Sequence, residues 1–303
     1  MIEFGKISSS KVETLLPAQT VFFFAVSPLE DYGQHLPLSL GLIEAREMCR
    51  LAGERLEHEK PGWTAVLMPD APLGVDTNTT KIKLTVRPHV LRDWLVDACA
   101  SLNAIGFTHF VCFSGNLSPK QLTAVEDAGK LLAGRQRFRK RLTGRRGPVL
   151  VSASSALTTL ADMKRSPFWP DPLEHGGHRD TSVALALAPS DIKTNPAALL
   201  AQPREGTHSS RRMRRWRKNL TGYWGDPSKA SADFGNQTLK GSLDEIFPKL
   251  RAVWEGANPN ALFRSWYSIL PPNQSFFKAW IVSAIILVLI LGWIYLSVQT
   301  LFN

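Results

Sequence analysis

Apolar and polar positions along this chain alternate between two rhythms. VFFFAV (21–26) is an unbroken apolar run of strand length, the pattern of a strand buried on both faces. TAVLMP (64–69), THFVCFSG (108–115) and PVLVSAS (148–154) read the same way. Between these runs the period lengthens. Leu42, Ala45, Met48, Cys49, Ala52 and Leu56 recur at helical spacing within 39–58. Arg87 to Ile105 reads as a second amphipathic helix, opened by Pro88 and closed by Gly106. Pro119 to Leu132 reads as a third, and Leu243 to Trp254 as a closing helix. TSVALALAP (181–189) fits helix or strand. Strands separated by helices predict an α/β domain over residues 1–254, with a mostly parallel sheet covered on both faces.

The pattern changes after the closing helix. Residues 255–277 carry Gly256, Asn258, Pro259, Pro271, Pro272 and Asn273, the composition of a linker. From Ala279 to Asn303 there is no charged residue, and Trp280 to Val298 is apolar enough to cross a hydrocarbon layer of about 30 Å. A transmembrane helix is therefore predicted over 278–299, with a short tail at 300–303. Trp280, Trp293 and Tyr295 stand where interfacial aromatics belong. The start, MIEFGKISSSKVETLL, lacks the pattern of a signal peptide. Lys278 and Arg264 lie on the domain side of the span, so the positive-inside rule places the domain in the cytoplasm on a single-pass tail anchor.

Composition narrows the picture further. Of 303 residues 44% are hydrophobic and 20% charged, which suits a globular domain and excludes a disordered one. Three cysteines without a CxxC motif exclude a disulfide framework and favour a reducing compartment. The net charge is +10, and much of the excess lies in two runs, Arg135 to Arg146 and Arg211 to Lys218. In the second, Arg211, Arg212, Arg214, Arg215, Arg217 and Lys218 form a candidate membrane or anion contact. Anionic lipid headgroups attract such clusters by about 1 kcal/mol per basic residue. Nucleic acid is not expected, because no nucleic-acid fold signature accompanies the charge.

Four segments carry more specific information. LEDYGQHLPLSLG (29–41) follows a buried strand and sets Glu30, Gly33, His35, Leu36, Pro37 and Leu38 in a fixed pattern. FVCFSGN (110–116) ends a strand on Gly115 and Asn116. EHGGHRDTSV (174–183) holds His175, Gly177, Asp180, Thr181 and Ser182. GYWGDPSKASADFG (222–235) holds Gly225, Asp226, Pro227, Ala230, Ser231 and Gly235. In this order and spacing they resemble the signature segments of the creatininase (creatinine amidohydrolase) family. The resemblance implies a three-layer α/β/α domain, frequently assembled into oligomers. It also implies metal-dependent hydrolysis of cyclic amides and related C–N bonds, in which zinc, manganese or iron activates a water and polarises a carbonyl.

The departures from that pattern fall on the ligands. Where the family has the first His and the closing Asp of its first segment and the His of its second, this chain has Tyr32, Gly41 and Phe113. Glycine and phenylalanine side chains cannot ligate, and without the bridging carboxylate two cations would repel unscreened. Glu30 and His175 are kept, and Asp180 stands one methylene shorter than the family's Glu. Two readings follow. In the first the dimetal centre is lost, no cofactor is expected, and the domain is a binding or scaffolding module at the membrane. In the second Glu30, His175 and Asp180 hold one divalent metal (zinc, manganese or iron) and act as the catalytic set. Asp31, Tyr32, His35, Phe113, Asn116 and His178 are the expected pocket neighbours. The retained turn residues also have a structural reading: Asp226 and Pro227 suit the start of a helix. The partners expected are membrane lipid through the C-terminal helix, anionic headgroups, and a second copy of the chain or a membrane protein.

Overall fold

The computed structural model describes residues 1–76, 82–143, 147–158, 174–202, 221–265, 267 and 274–302. Five parallel strands form the central sheet: β1 (Ile2–Glu3), β2 (Thr20–Val26), β4 (Thr64–Leu67), β6 (His109–Ser114) and β7 (Val149–Ser152), in the order β1-β4-β2-β6-β7. A separate antiparallel pair joins β3 (Leu29–Glu30) to β5 (Lys83–Leu84). The helices are α1 (Ser9–Glu13), α2 (Leu40–Glu59), α3 (Pro88–Ala104), α4 (Pro119–Thr143), α5 (His178–Leu187), α6 (Ala232–Trp254), α7 (Pro259–Leu262) and α8 (Gln274–Phe302).

The apolar run of β2 explains the layering. All seven of its residues are buried, and their side chains alternate between faces. Val21, Phe23 and Ala25 enter a core with α2, α5 and α6, through residues such as Cys49, Val183 and Ile246. Phe22, Phe24 and Val26 enter a second core with α3 and α4, through Leu91, Leu95 and Val125. Each fully buried phenylalanine contributes about 1.5–3 kcal/mol of transfer free energy. The α/β/α architecture with a mostly parallel sheet is thus present.

Several elements extend beyond their expected bounds. The ambiguous stretch 181–189 is helical as far as Leu187, within α5 from His178, and Pro189 then opens a 3-10 turn. α6 begins eleven residues before Leu243, capped by Ser231, whose hydroxyl accepts from the Phe234 N–H at 3.2 Å. Asp226 and Pro227 open a 3-10 turn, Pro227–Lys229, and not a full helix. α4 continues past Leu132 to Thr143, into the first basic run, since Arg, Lys and Gln are strong helix formers. The segment expected as linker packs on the domain at its start: Phe263 is part of the first core, and the Ser265 N–H donates to Glu126 Oε1 at 2.9 Å. The second basic run, Arg211 to Lys218, lies outside the described residues. All three cysteines are free and buried.

Among the described residues no helix is long and apolar enough to cross a membrane. The backbone of α8 is helical over 29 residues. The large apolar residues over 281–295 are solvent-exposed, Trp293 at 70% and Val288 at 68%.

Candidate functional site

A cavity of about 240 Å³ opens at the C-terminal ends of β2 and β6, where parallel sheets place their sites. β3 sends Glu30 into its floor, the turn after β6 supplies Asn116, the first turns of α2 supply Gly41 and Glu44, and the entry to α5 supplies Glu174, His175, Arg179 and Asp180.

Glu30 is 1% exposed and accepts two hydrogen bonds at Oε1, from the Tyr32 hydroxyl at 3.2 Å and from Asn116 Nδ2 at 2.9 Å. Burial first, and then the charge of Glu30, hold the Tyr32 phenol well above its ordinary pKa, so it stays a neutral donor. Asn116 is itself fixed: its Oδ1 accepts the Ser118 N–H at 2.8 Å, and Nδ2 also reaches the Asp76 carbonyl at 3.2 Å.

His175 lies between two rings, stacked on Tyr32 at 4.5 Å and tilted against Trp224 at 5.0 Å. Its Nε2 is 2.8 Å from the Asp31 carbonyl oxygen. A carbonyl only accepts, so Nε2 carries a proton. Gly176, next in the chain, has φ +62, and a Cβ there would sit 2.3 Å from the Tyr32 carbonyl oxygen. The glycine lets the His175 turn lie directly on the Tyr32 backbone.

The opposite wall is ionic. Arg179 grips Glu44 with both Nη atoms, Nη1 standing 3.1 Å from Oε2 and Nη2 contacting Oε1. The same Nη1 is 3.2 Å from Asp180 Oδ1, while Asp180 Oδ2 accepts the Gly176 N–H at 2.8 Å. The Arg179 side chain is only 6% exposed. Burial works against its charge, but Glu44, by charge and hydrogen bonds, and then Asp180 and Glu174 raise its pKa above the ordinary value. Glu174 receives the first free N–H groups of α5, from His178 at 3.2 Å and from Arg179. Burial and the Asp180 charge nevertheless push its pKa up to about 7.

The residues picked out in the sequence divide into two groups. Glu30, Tyr32, Phe113, Asn116, His175 and Asp180 line the cavity. Asp31, His35 and His178 do not. The Asp31 carboxylate accepts the Gly33 N–H at 2.9 Å and packs against Gly222. His35 Nε2 bonds the Gly176 carbonyl at 3.1 Å and Thr181 Oγ1 at 3.0 Å, pinning the third segment to the first. His178 stacks on Phe234 at 4.4 Å. Three charged lining residues were missed, namely Glu44, Glu174 and Arg179. Arg179 stood between kept positions of EHGGHRDTSV as an unremarked charge, and Glu44 lies one helical turn after Gly41.

These residues do not fit a pair of metals. Phe113 is buried with an apolar ring at one ligand position. At another, Gly41 is in contact with its surroundings: a Cβ there would meet Ser27 Oγ at 2.5 Å, Tyr32 Oη at 2.8 Å and the Gly115 carbonyl at 2.9 Å. The phenol of Tyr32 thus occupies the space that a side chain at 41 would enter, and donates to Glu30 from there. A Cβ on Gly115 would lie 1.7 Å from the Gly41 carbonyl oxygen, so the two backbones cross at the closest approach glycine permits. Among the described residues no three of His, Cys, Asp or Glu come together as a metal site. Glu30 Oε1, His175 Nε2 and both oxygens of Asp180 face protein donors or acceptors.

Comparison with known proteins agrees with the segment order. Solved structures superpose over most of the domain. A crystal structure of creatinine amidohydrolase (creatininase) has a TM-score of 0.65 at 16% identity, covering 84% of this chain and 99% of that one. A structure described as creatininase Mn gives 0.66 at 18% identity, covering 84% and 98%. A putative creatinine amidohydrolase from Bacteroides fragilis gives 0.57 at 16% identity, covering 84% and 97%. At such identities the likeness speaks for the fold. No curated protein matches. The sequence profile of the creatininase family, creatinine amidohydrolase, matches residues 5–249, which include all four signature segments. The chain belongs to the creatininase family.

Proposed function

We propose that this chain is a creatininase-family binding or scaffolding protein that works without the dimetal centre and is held at a membrane by α8. The observation that carries the first part is the filled ligand space: the Tyr32 phenol sits at Gly41, and the Phe113 ring stands where a second imidazole would be needed. Metal-activated water requires ligands that fix the ion and leave one position open. Here the groups on the cleft walls satisfy one another instead. What remains is a preorganised pocket lined by the Glu30 carboxylate and, to one side, the packed rings of Tyr32, His175 and Trp224. That suits a small polar molecule with an apolar face.

The membrane part rests on α8. The sequence carries no charge from Ala279 onward. With Lys278 and Arg264 on the domain side, the positive-inside rule assigns the domain to the cytoplasm. Arg211, Arg212, Arg214, Arg215, Arg217 and Lys218 then meet anionic headgroups from that side.

The test is a hydrolysis assay. Purified chain is incubated with creatinine in the presence of zinc, manganese or iron, and no turnover is expected. Turnover that depends on the added metal would overturn the proposal. It would favour instead an amidohydrolase using one ion on Glu30, His175 and Asp180.

A further inference from the structure

The cleft is lined by four carboxylates, and it contains its own cation. Glu30, Glu44, Glu174 and Asp180 all line it, and Arg179 enters among them from the second residue of α5. One guanidinium nitrogen, Nη1, lies within 3.2 Å of a carboxylate oxygen from each of two elements, Glu44 on α2 and Asp180 on α5. A nitrogen shared in this way marks the point where a positive charge best serves both acids. A carboxylate buried with no compensating cation is costly. The fork of Arg179 supplies that compensation covalently, and it cannot dissociate or be chelated away. Arginine also stays charged when buried, as lysine need not.

We propose that Arg179 is the resident cation of this cleft: it takes the electrostatic place of a divalent ion between Glu44 and Asp180 and thereby excludes such an ion. This inference rests on the reading of the cleft as one that works without metals. It adds a cause, because without the guanidinium Glu44 and Asp180 would be left as two facing carboxylates that a hard cation could bridge. All-oxygen donors favour manganese over softer metals, so manganese is the probe.

The experiment compares the full chain in detergent with two variants. Wild type, Arg179→Met and Arg179→Lys are dialysed against Mn2+, and bound metal is measured by mass spectrometry and by electron paramagnetic resonance. Wild type and Arg179→Lys are expected to retain no stoichiometric manganese. Arg179→Met is expected to gain a saturable site of one equivalent, and Mn2+ should raise its thermal midpoint while leaving that of wild type unchanged. Adding Glu44→Gln to Arg179→Met should abolish the new site. If Arg179→Met does not fold without metal, refolding in Mn2+ is expected to rescue it, and failure of that rescue counts against the proposal. A folded Arg179→Met that binds no manganese overturns it while leaving the metal-free reading intact. Stoichiometric manganese on the wild type itself overturns that reading, and this proposal with it.

Discussion

Replacing Gly41 with alanine probes the packing that excludes a ligand at this position. The added methyl would stand 2.5 Å from Ser27 Oγ, 2.8 Å from Tyr32 Oη and 2.9 Å from the Gly115 carbonyl oxygen. The serine hydroxyl can rotate away. The carbonyl is backbone, in the turn between β6 and Asn116, and the phenol is held by Glu30. Overpacking of this kind costs about 1–3 kcal/mol. Alanine in place of glycine near the start of α2 returns up to about 1 kcal/mol of helix propensity. The net expectation is a loss of about 1–2 kcal/mol, or roughly 2–8 °C in melting temperature for a domain of this size. Tyr32→Phe removes one of the three crowding atoms, so the double variant should be more stable than the two single losses predict, by about 1 kcal/mol. Urea denaturation of all four proteins, followed by tryptophan fluorescence, measures the coupling. Strictly additive losses would refute the argument that the phenol fills the space at Gly41.

Three further outcomes follow from the same geometry. Asn116→Leu removes the 2.9 Å donor from buried Glu30 and should cost at least about 2 kcal/mol by urea denaturation; an unchanged midpoint would contradict the network. Glu174, whose pKa rises from 4.5 to about 7, retains its proton on folding where the unfolded chain gives it up. Its contribution is complete below pH 4.5 and is lost as pH rises through about 7, by no more than about 3 kcal/mol. Glu174→Gln should therefore flatten the pH dependence of stability across that window, and an identical slope in wild type and variant would count against the assignment. In alkaline carbonate extraction the full chain should remain with the membrane pellet, whereas release into the supernatant would contradict an anchoring role for α8.

The sequence made the layers legible because β2 carries apolar residues at six successive positions, 21–26, the pattern of a strand buried on both faces. Glu30 and Tyr32 of the first signature segment and His175 and Asp180 of the third line one cleft, because turn glycines and a His35 clamp bring these segments together. The sequence did not reveal which neighbours face that cleft. Asp31 and Glu30 are adjacent, and alternation along the extended chain sends one to a turn and the other to the floor. His178 sits on α5 where it stacks on Phe234, while Arg179, one residue on, turns into the cleft. Glu44 was hidden because a glutamate along an amphipathic helix reads as an ordinary solvated position. The extra length of α4 was missed because a dense basic run resembles a loop in composition while having good helix propensity.

The central claim is that this cleft's own side chains meet one another's charges and hydrogen bonds, leaving no place for paired cations. The direct measurement is the metal content of the full-length chain after equilibrium dialysis against zinc and manganese, read by mass spectrometry. The account predicts far less than one ion per chain. Two ions per chain, lost on replacing Glu30 or Asp180, would contradict it.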